Sequence, residues 1–395
     1  MPGKTQANQN EKLLNAGFLF LLSVNSLSSV AFQMVMPVLS KYVVSLGGSL
    51  ALGGVVVGLF AITALVMRPV GGAVADSFNR KRVMVISTSV AALMVLGYSH
   101  AGSIPLLIVF RIIHGTAFAI SGTTNVAFAT TLIPKHRMGE GVGILGLSNV
   151  LAVAIGPNIG LVVMDHFNYN GLFAISAVIM GTSAFLMTFI HYKHEKAENQ
   201  RVKFHFQPAN FIEIRLIPLA VFTGLLYLCY GTVASFIVVL GDERSIANIG
   251  LYFTVASITL IAVRPLSGRF IDKKGFAAVV PPAFIVMSSA MFLFFTVRSI
   301  WGVALAAVLV AVGHGSGTPA IQAECIRRQP DRRGVATGTF YMGADVGHGL
   351  GPIIGGAVLN SFGFQVLFVS AGILMLIGLL GFIIYRKLDS WPVGK

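Results

Sequence analysis

The stretch Arg68-Pro-Val-Gly-Gly-Ala-Val-Ala-Asp76 returns 196 residues later as Arg264-Pro-Leu-Ser-Gly-Arg-Phe-Ile-Asp272. A second pair, Gly156-Pro-Asn-Ile-Gly160 and Gly351-Pro-Ile-Ile-Gly355, is separated by 195 residues, and Gly139 and Gly143 map onto Gly334 and Gly338 at that same spacing. Three matches at nearly one offset mark an internal duplication, and a duplication constrains architecture before any single motif does. Each copy falls within or at the end of an apolar run. The repeated unit is therefore a set of hydrophobic segments.

Composition says what surrounds those segments. The 395-residue chain is 55% hydrophobic and 11% charged, with a mean hydropathy of +0.82. Soluble domains carry about 25% charged residues, so a water-soluble enzyme and a disordered chain are both excluded. The 44 glycines and 29 phenylalanines suit helices that approach closely in lipid. Apolar runs bounded by charges or turn residues predict twelve spans: 13–38, 51–75, 83–99, 104–132, 140–164, 171–192, 216–240, 248–271, 277–297, 301–325, 335–359 and 365–385. The first run is too long for the core of a cleaved signal peptide, and the others follow it closely. The one sustained polar stretch divides the chain into a six-helix bundle over 1–192, a linker over 193–215 and a second six-helix bundle over 216–395. The fold class is an all-α membrane protein of two pseudo-symmetric halves. An even number of spans per half makes the repeat parallel, about an axis along the membrane normal, and such a repeat leaves a cavity that rocking opens to either side.

The net charge of +14 is explained by topology. With the N-terminus in the cytoplasm, most of the 28 Lys and Arg residues fall in cytoplasmic segments. Lys41, Arg244 and Arg298 lie outside, and Arg68, Arg111, Arg264 and Arg269 lie within the span bounds. Basic residues resist translocation and favour the anionic cytoplasmic face, so both termini are expected inside an inner or plasma membrane, and no nucleic-acid partner is expected. Cys229 and Cys325 sit in or at the end of apolar runs without metal-ligand spacing; they are read as small core hydrophobes, and no metal site is expected.

These motifs resemble the major facilitator superfamily over essentially the whole chain. Gly72-Ala-Val-Ala-Asp76-Ser-Phe-Asn-Arg80-Lys81 is similar to the family's signature between helices 2 and 3, with Asn79 where glycine is usual. Asn is the next-best residue for a left-handed turn. Arg111-Ile-Ile-His114-Gly115 matches the helix 4 signature. Ala152-Val-Ala-Ile-Gly156-Pro157-Asn-Ile-Gly160 and Gly347-His-Gly-Leu-Gly351-Pro352-Ile-Ile-Gly355-Gly356 resemble a helix 5 signature of the drug and metabolite antiporters. The resemblance implies alternating access, a monomer, a cavity lined by spans 1, 4, 7 and 10, and a gating contact of Asp76 with a helix end of the other half.

Candidate site residues follow. Gly72, Asp76 and Arg80, with Asp272 at the matching place, form the expected gating segment. Arg68 and Arg264, each before a proline, are expected to be structural or gating by their symmetry. Gly156-Pro157 and Gly351-Pro352 each remove a backbone hydrogen bond and are expected to kink their helices. At 1.5 Å per residue, Arg111 lies about 10 Å inside span 4, and Asp345 lies about 16 Å into span 11, with His348 one turn further. Charges at the bilayer centre are costly and usually face a cavity or a partner. An Asp345 balanced between desolvation and the nearby cations His348 and Arg111 would load a proton on one side and release it on the other; the alternative is a permanent buried ion pair. Glu140 is a further coupling candidate, although it and Glu324 suit helix caps or inter-half salt bridges better. Span 1 offers no acid, only Asn25 and Gln33. The expected cavity set is Asn25, Gln33, Arg111, His114, Tyr227, Tyr230, His314 and Tyr341, which suits a carboxylate-bearing substrate better than a lipophilic cation.

The function expected from these residues is proton-coupled export of a small organic molecule such as a drug or a metal-chelating metabolite. The expected partners are that substrate, protons and the lipid bilayer, with the proton gradient as energy source and no cofactor. A symporter or facilitator importing a small polar metabolite keeps the same motifs; a lipid flippase or a non-transporting receptor is further off. No Gly-x-x-x-x-Gly-Lys-Ser/Thr, Gly-x-Ser-x-Gly or His-Glu-x-x-His occurs, so neither an ATP-driven pump nor an intramembrane hydrolase is expected.

Overall fold

The computed structural model describes residues 15–134, 137–190 and 212–388, and the secondary structure in them is helical. The elements are α1 (Ala16–Val35), α2 (Leu39–Ser45), α3 (Leu50–Ser77), α4 (Arg80–Tyr98), α5 (Ile104–Leu132), α6 (Met138–Met187), α7 (Ile217–Glu243), α8 (Leu251–Lys274), α9 (Val280–Thr296), α10 (Ile300–Arg328) and α11 (Arg333–Leu388). Short polar residues start several of them. The side chain of Asn15 accepts from the Phe18 amide at 2.8 Å and that of Ser49 from the Leu52 amide at 3.2 Å, each filling one of the orphan donors at a helix start. Asn79 does the same for Arg82 at 3.1 Å. Its backbone is extended, with φ −63°, so this residue is a helix cap and not the left-handed turn expected of it.

Span 1 runs further than 38. A single turn of tighter helix at Met36–Val38 holds Pro37, whose missing N–H and fixed φ suit a turn start, and α2 then carries the chain to Ser45. Ten described helical segments are long and apolar enough to cross a membrane, and two of them, Asn149–Met187 and Gly334–Leu388, have 39 and 55 residues. Straight helices of those lengths would measure about 58 and 82 Å against a hydrocarbon core of about 30 Å. Each instead doubles back. Gly160 packs on Met34 while Ser176 reaches the sulfur of the same Met34, and Gly351 packs on Leu228 while Ala371 accepts from neighbouring Cys229. The reversals fall where the backbone leaves helical geometry, at Asn168 (φ 57°) and Gly363 (φ 77°). Pro157 and Pro352 remain inside helical backbone. With those two folded back on themselves, the ten described segments are consistent with twelve passes.

In the first half α1 packs on α6, α3 on α5, and α4 on both α5 and α6; in the second, α7 and α9 pack on α11, and α8 and α9 on α10. Phe18, Tyr98, Phe128 and Phe173 are fully buried in the first, Phe236, Phe284, Phe294 and Phe368 in the second. Both cysteines are buried and free. Large apolar side chains also cover the outside, with Val66, Phe185 and Trp301 at 66%, 62% and 78% exposure, as a lipid-facing surface requires.

The halves meet along α3–α11 and α6–α8, and glycines grade those contacts. Residues 54, 58, 61, 65, 68 and 72 share one stripe of α3 at helical spacing. At its start, a Cβ on Gly54 would strike the Pro352 carbonyl, and one on Gly58 would come within 2.7 Å of Ile353 Cγ1. At its end, Gly72 meets nothing within 4 Å. On the other pair of helices, Gly250 at the start of α8 abuts Asn158 and Leu161 of α6, while Gly268 meets nothing. The bundles are pressed together at one face and parted at the face that carries residues 15, 190, 213 and 388.

Candidate functional site

Where the α3 stripe passes from contact to gap, one ion pair joins the halves. Arg68 donates to Asp345 of α11 through Nε at 2.5 Å and Nη2 at 2.9 Å. The side chains are 38% and 14% exposed, so the pair is at the rim of an open space. A bidentate guanidinium–carboxylate pair is both stronger and more directional than a single bond. Tyr341, one turn before Asp345, lies 5.8 Å from the Arg68 guanidinium carbon. The cation beside Asp345 is thus Arg68 and not the expected Arg111, because α3 is the helix of the first half that packs on α11.

Beyond Asp345, α7, α10 and α11 converge on four rings. The His314 ring stacks on Tyr230 at 4.4 Å and stands edge-on to Tyr227 at 4.6 Å. His348 lies 6.1 and 6.3 Å from the same two tyrosines. His314 is 5% exposed, and Nδ1 of His314 and of His348 are both buried without a hydrogen-bond partner. Arg264, at the matching place to Arg68, is exposed and lies within electrostatic reach of Tyr227, Tyr230 and His314. The structure therefore gathers Tyr227, Tyr230, His314, His348, Asp345 and Tyr341 into one wall.

The first half supplies a different wall. Arg111 is 0% exposed. It donates to the carbonyl of Val56 at 3.1 Å and sits 4.3 Å over the ring of Phe60. His114 is 1% exposed and bonds Tyr98 Oη through Nδ1 at 2.8 Å. Both expected cavity residues are sealed inside the first bundle, because Phe60 closes over them. In their place Phe32, Phe60 and Phe118 cluster at 4.9–5.1 Å, and Phe118 is 37% exposed. Their signal in the sequence was only position: Phe118 is the central residue of span 4. Asn25 is held by Asn125 Nδ2 at 2.7 Å, and Gln33 packs on Gly156, so both serve helix contacts within the bundle. Glu324 is likewise internal to the second half, bonded by Arg327 and Arg328 at 2.7–2.8 Å. Arg80 donates to Ala75 and Ala127 carbonyls within the first half, and Asp272 lies in the last turn of α8. The side chains of Asp76 and Glu140 lie outside the described residues.

At the closed face, polar links among the described residues cross between the halves. Lys41 pairs with Asp242 at 2.6 Å, joining the ends of spans 1 and 7, and Asn158 Nδ2 donates to Thr254 Oγ1 at 2.9 Å. A separate cavity of about 780 Å³ at this face is lined by Arg244, Arg298 and Gln365, but Arg244 is engaged there by the carbonyls of Phe294 and Val297. Among the described residues no cluster of His, Cys, Asp and Glu is arranged to hold a metal.

Two bundles of spanning helices, joined at one face and parted at the other, define a multi-pass membrane carrier. The sequence pattern of the Major Facilitator Superfamily matches residues 21–243 and again 219–393, and the chain belongs to that superfamily: it is a transporter and not an enzyme. Among its relatives are the proteins named multidrug resistance protein MdtG of Salmonella dublin, 26% identical over 367 residues (88% of this chain, 90% of that protein), and of Salmonella typhimurium, 26% identical over 368 residues with the same coverage. The crystal structure of the nucleoside transporter NupG superposes with a TM-score of 0.80 at 16% identity, covering 95% of this chain and 100% of that one. The human organic anion transporter MFSD10 superposes at 0.64 and 16% identity, covering 92% and 98%. At these identities the structural likeness speaks to the fold.

Proposed function

We propose that this protein exports a small organic molecule, such as a drug or a metal-chelating metabolite, in exchange for protons. The MdtG relatives support the direction by their name, and the clustering of Lys and Arg in the segments beside the termini supports a cytoplasmic location for the open face. The observation that carries the coupling is the Arg68–Asp345 pair, which ties the bundles together at the head of the gap. With Asp345 ionised, α3 and α11 are held as described. Protonation of Asp345 removes the charge that Arg68 neutralises. Because Arg68 is more than a third exposed at the rim of the gap, water takes over part of its solvation. The cost of parting it is then only a fraction of that of an Arg at the bilayer centre, about 2.5–3.5 kcal/mol on insertion scales. One proton crossing 100 mV supplies about 2.3 kcal/mol, enough to cover it. The open, paired state is then the one that has released its proton and takes up substrate. The motif residues Gly72, Asp76, Arg80 and Asp272 and the Gly156-Pro157 and Gly351-Pro352 segments fit hinges and latches of the same cycle.

The test is proton flux in proteoliposomes loaded with a pH-sensitive dye, on addition of ethidium, tetraphenylphosphonium or 1-hydroxy-2-naphthoate. Wild type is expected to give probe-dependent flux and Asp345→Asn none. Flux that survives in Asp345→Asn moves the coupling acid to Glu140 or Glu324. Probe uptake without proton movement replaces the exporter with a facilitator.

A further inference from the structure

The duplication that gives the two halves the same fold gives them opposite chemistry at mid-depth. The 196-residue offset that maps Arg68 onto Arg264 also maps Phe118 onto His314, and these are the central residues of α5 and α10. Around Phe118 the neighbours are Phe32 and Phe60, with ring centroids 4.9 and 5.0 Å away. Around His314 they are Tyr227 and Tyr230 at 4.6 and 4.4 Å. The first wall presents flat apolar rings to the gap; Arg111 Nη1 and His114 Nε2, also without a partner among the described residues, lie sealed behind Phe60. The second offers phenol groups and two buried imidazole nitrogens, on His314 and His348, that nothing among the described residues satisfies. Buried polar atoms are ordinarily paired, and an unpaired one calls for a partner of its own.

Charge is unequal as well. Arg68 on the first side is neutralised by Asp345. Arg264, its counterpart, has no carboxylate partner among the described residues, yet it lies within electrostatic reach of Tyr227, Tyr230 and His314. The polar wall therefore carries an Arg without a carboxylate partner, beside an Asp345 that Arg68 already neutralises.

We infer that the substrate is an amphipathic aromatic anion. Its flat ring lies against Phe118 and its neighbours, and its hydroxyl or carboxylate end faces Tyr230, His314, His348 and Arg264. This rests on the reading of the gap as the transport site and adds the class of molecule that fills it. Aromatic stacking selects a ring on one side, and a cation with orphan imidazole nitrogens selects an anionic, hydrogen-bonding end on the other. A lipophilic cation would meet Arg264 as a like charge.

Equilibrium binding to the full-length protein in nanodiscs tests this, with 1-hydroxy-2-naphthoate and 1-naphthylmethylammonium as probes of matched ring and opposite charge. The anion is expected to bind about tenfold or more tighter than the cation. Arg264→Gln is expected to abolish that preference, Arg264→Lys to keep it, and His314→Phe to weaken the hydroxynaphthoate while sparing unsubstituted naphthalene. Retention of the preference in Arg264→Lys separates loss of charge from loss of fold. Equal or tighter binding of the cation, binding of neither probe, or an unchanged preference in Arg264→Gln overturns the assignment. Because binding needs no gradient, the two readings fail separately. Selective binding of the anion without proton flux removes coupled export and keeps the substrate class. Proton flux driven by cationic dyes alone keeps export and removes the class.

Discussion

Arg68 and Arg264 occupy equivalent places in the two halves, yet among the described residues one is paired across the interface and the other is not. The pairing of Arg68 with Asp345 gives a direct expectation for a double-mutant cycle. Arg68→Gln and Asp345→Asn should each lower thermal stability, and together should cost less than their sum, with a coupling of about 0.5–3 kcal/mol. Additive losses would mean that the pair does not hold the halves. Arg111 gives the opposite expectation. Its guanidinium is fully buried, has one nitrogen without a partner and makes its bonds to carbonyls and a thioether. Replacing buried charge by an apolar side chain of similar volume is often neutral or stabilising by about 1–4 kcal/mol. Arg111→Met is therefore expected to leave the melting temperature unchanged or raised, and a marked fall would show that the backbone bonds outweigh desolvation.

Helices carry the next set of consequences. The stripe of α3 from Gly54 to Gly72 is tight at one end and open at the other. Gly58→Leu should disfavour the described state, since overpacking a filled contact costs about 1–3 kcal/mol. Gly72→Leu should be tolerated in it and should instead block closure of the opposite face. Thiol labelling of a cysteine introduced beside each face reads the difference: Gly58→Leu should raise labelling at the closed face, and Gly72→Leu should raise it at the open one. If both substitutions shift labelling the same way, the stripe does not grade the interface. The hairpin inside α11 depends on Gly363, at φ 77° and ψ 177°, a region that is nearly glycine-only. Gly363→Val should cost about 1–3 kcal/mol, measured by thermal unfolding in detergent, while a nearby exposed change such as Phe362→Val should not.

Across the whole molecule, the closed face is held by packing, with Lys41–Asp242 and Asn158–Thr254 among its polar links. The Lys41 and Asp242 side chains are 34% and 52% exposed, and such pairs contribute about 0–1 kcal/mol. Asp242→Asn alone should therefore leave transport nearly unchanged. Covalent closure is different. Lys41→Cys with Asp242→Cys, bridged by a short bifunctional thiol reagent, should arrest substrate movement, and cleavage of a reducible bridge should restore it. Full transport through a bridged protein would show that the halves need not part there.

The membrane location, the crossings and their order were legible in the chain because hydropathy and depth are local: a run of apolar residues has nowhere else to go, and each residue adds a fixed rise. The breaks at Asn168 and Gly363 fall in the short connections expected between spans 5 and 6 and between spans 11 and 12. The duplicated arginines and glycines were legible for the same reason, since a repeat is a property of the string. What the string left open was azimuth and neighbour. It placed Arg111 and Asp345 at membrane depth, but depth does not say which side of a helix faces which partner. Tertiary packing put α3, not α5, against α11, and so gave Asp345 to Arg68 while Phe60 sealed Arg111 and His114 away. It also decided which face is shut, because that depends on how two complete bundles lean together, a choice in which every helix takes part and no local sequence signal has a say.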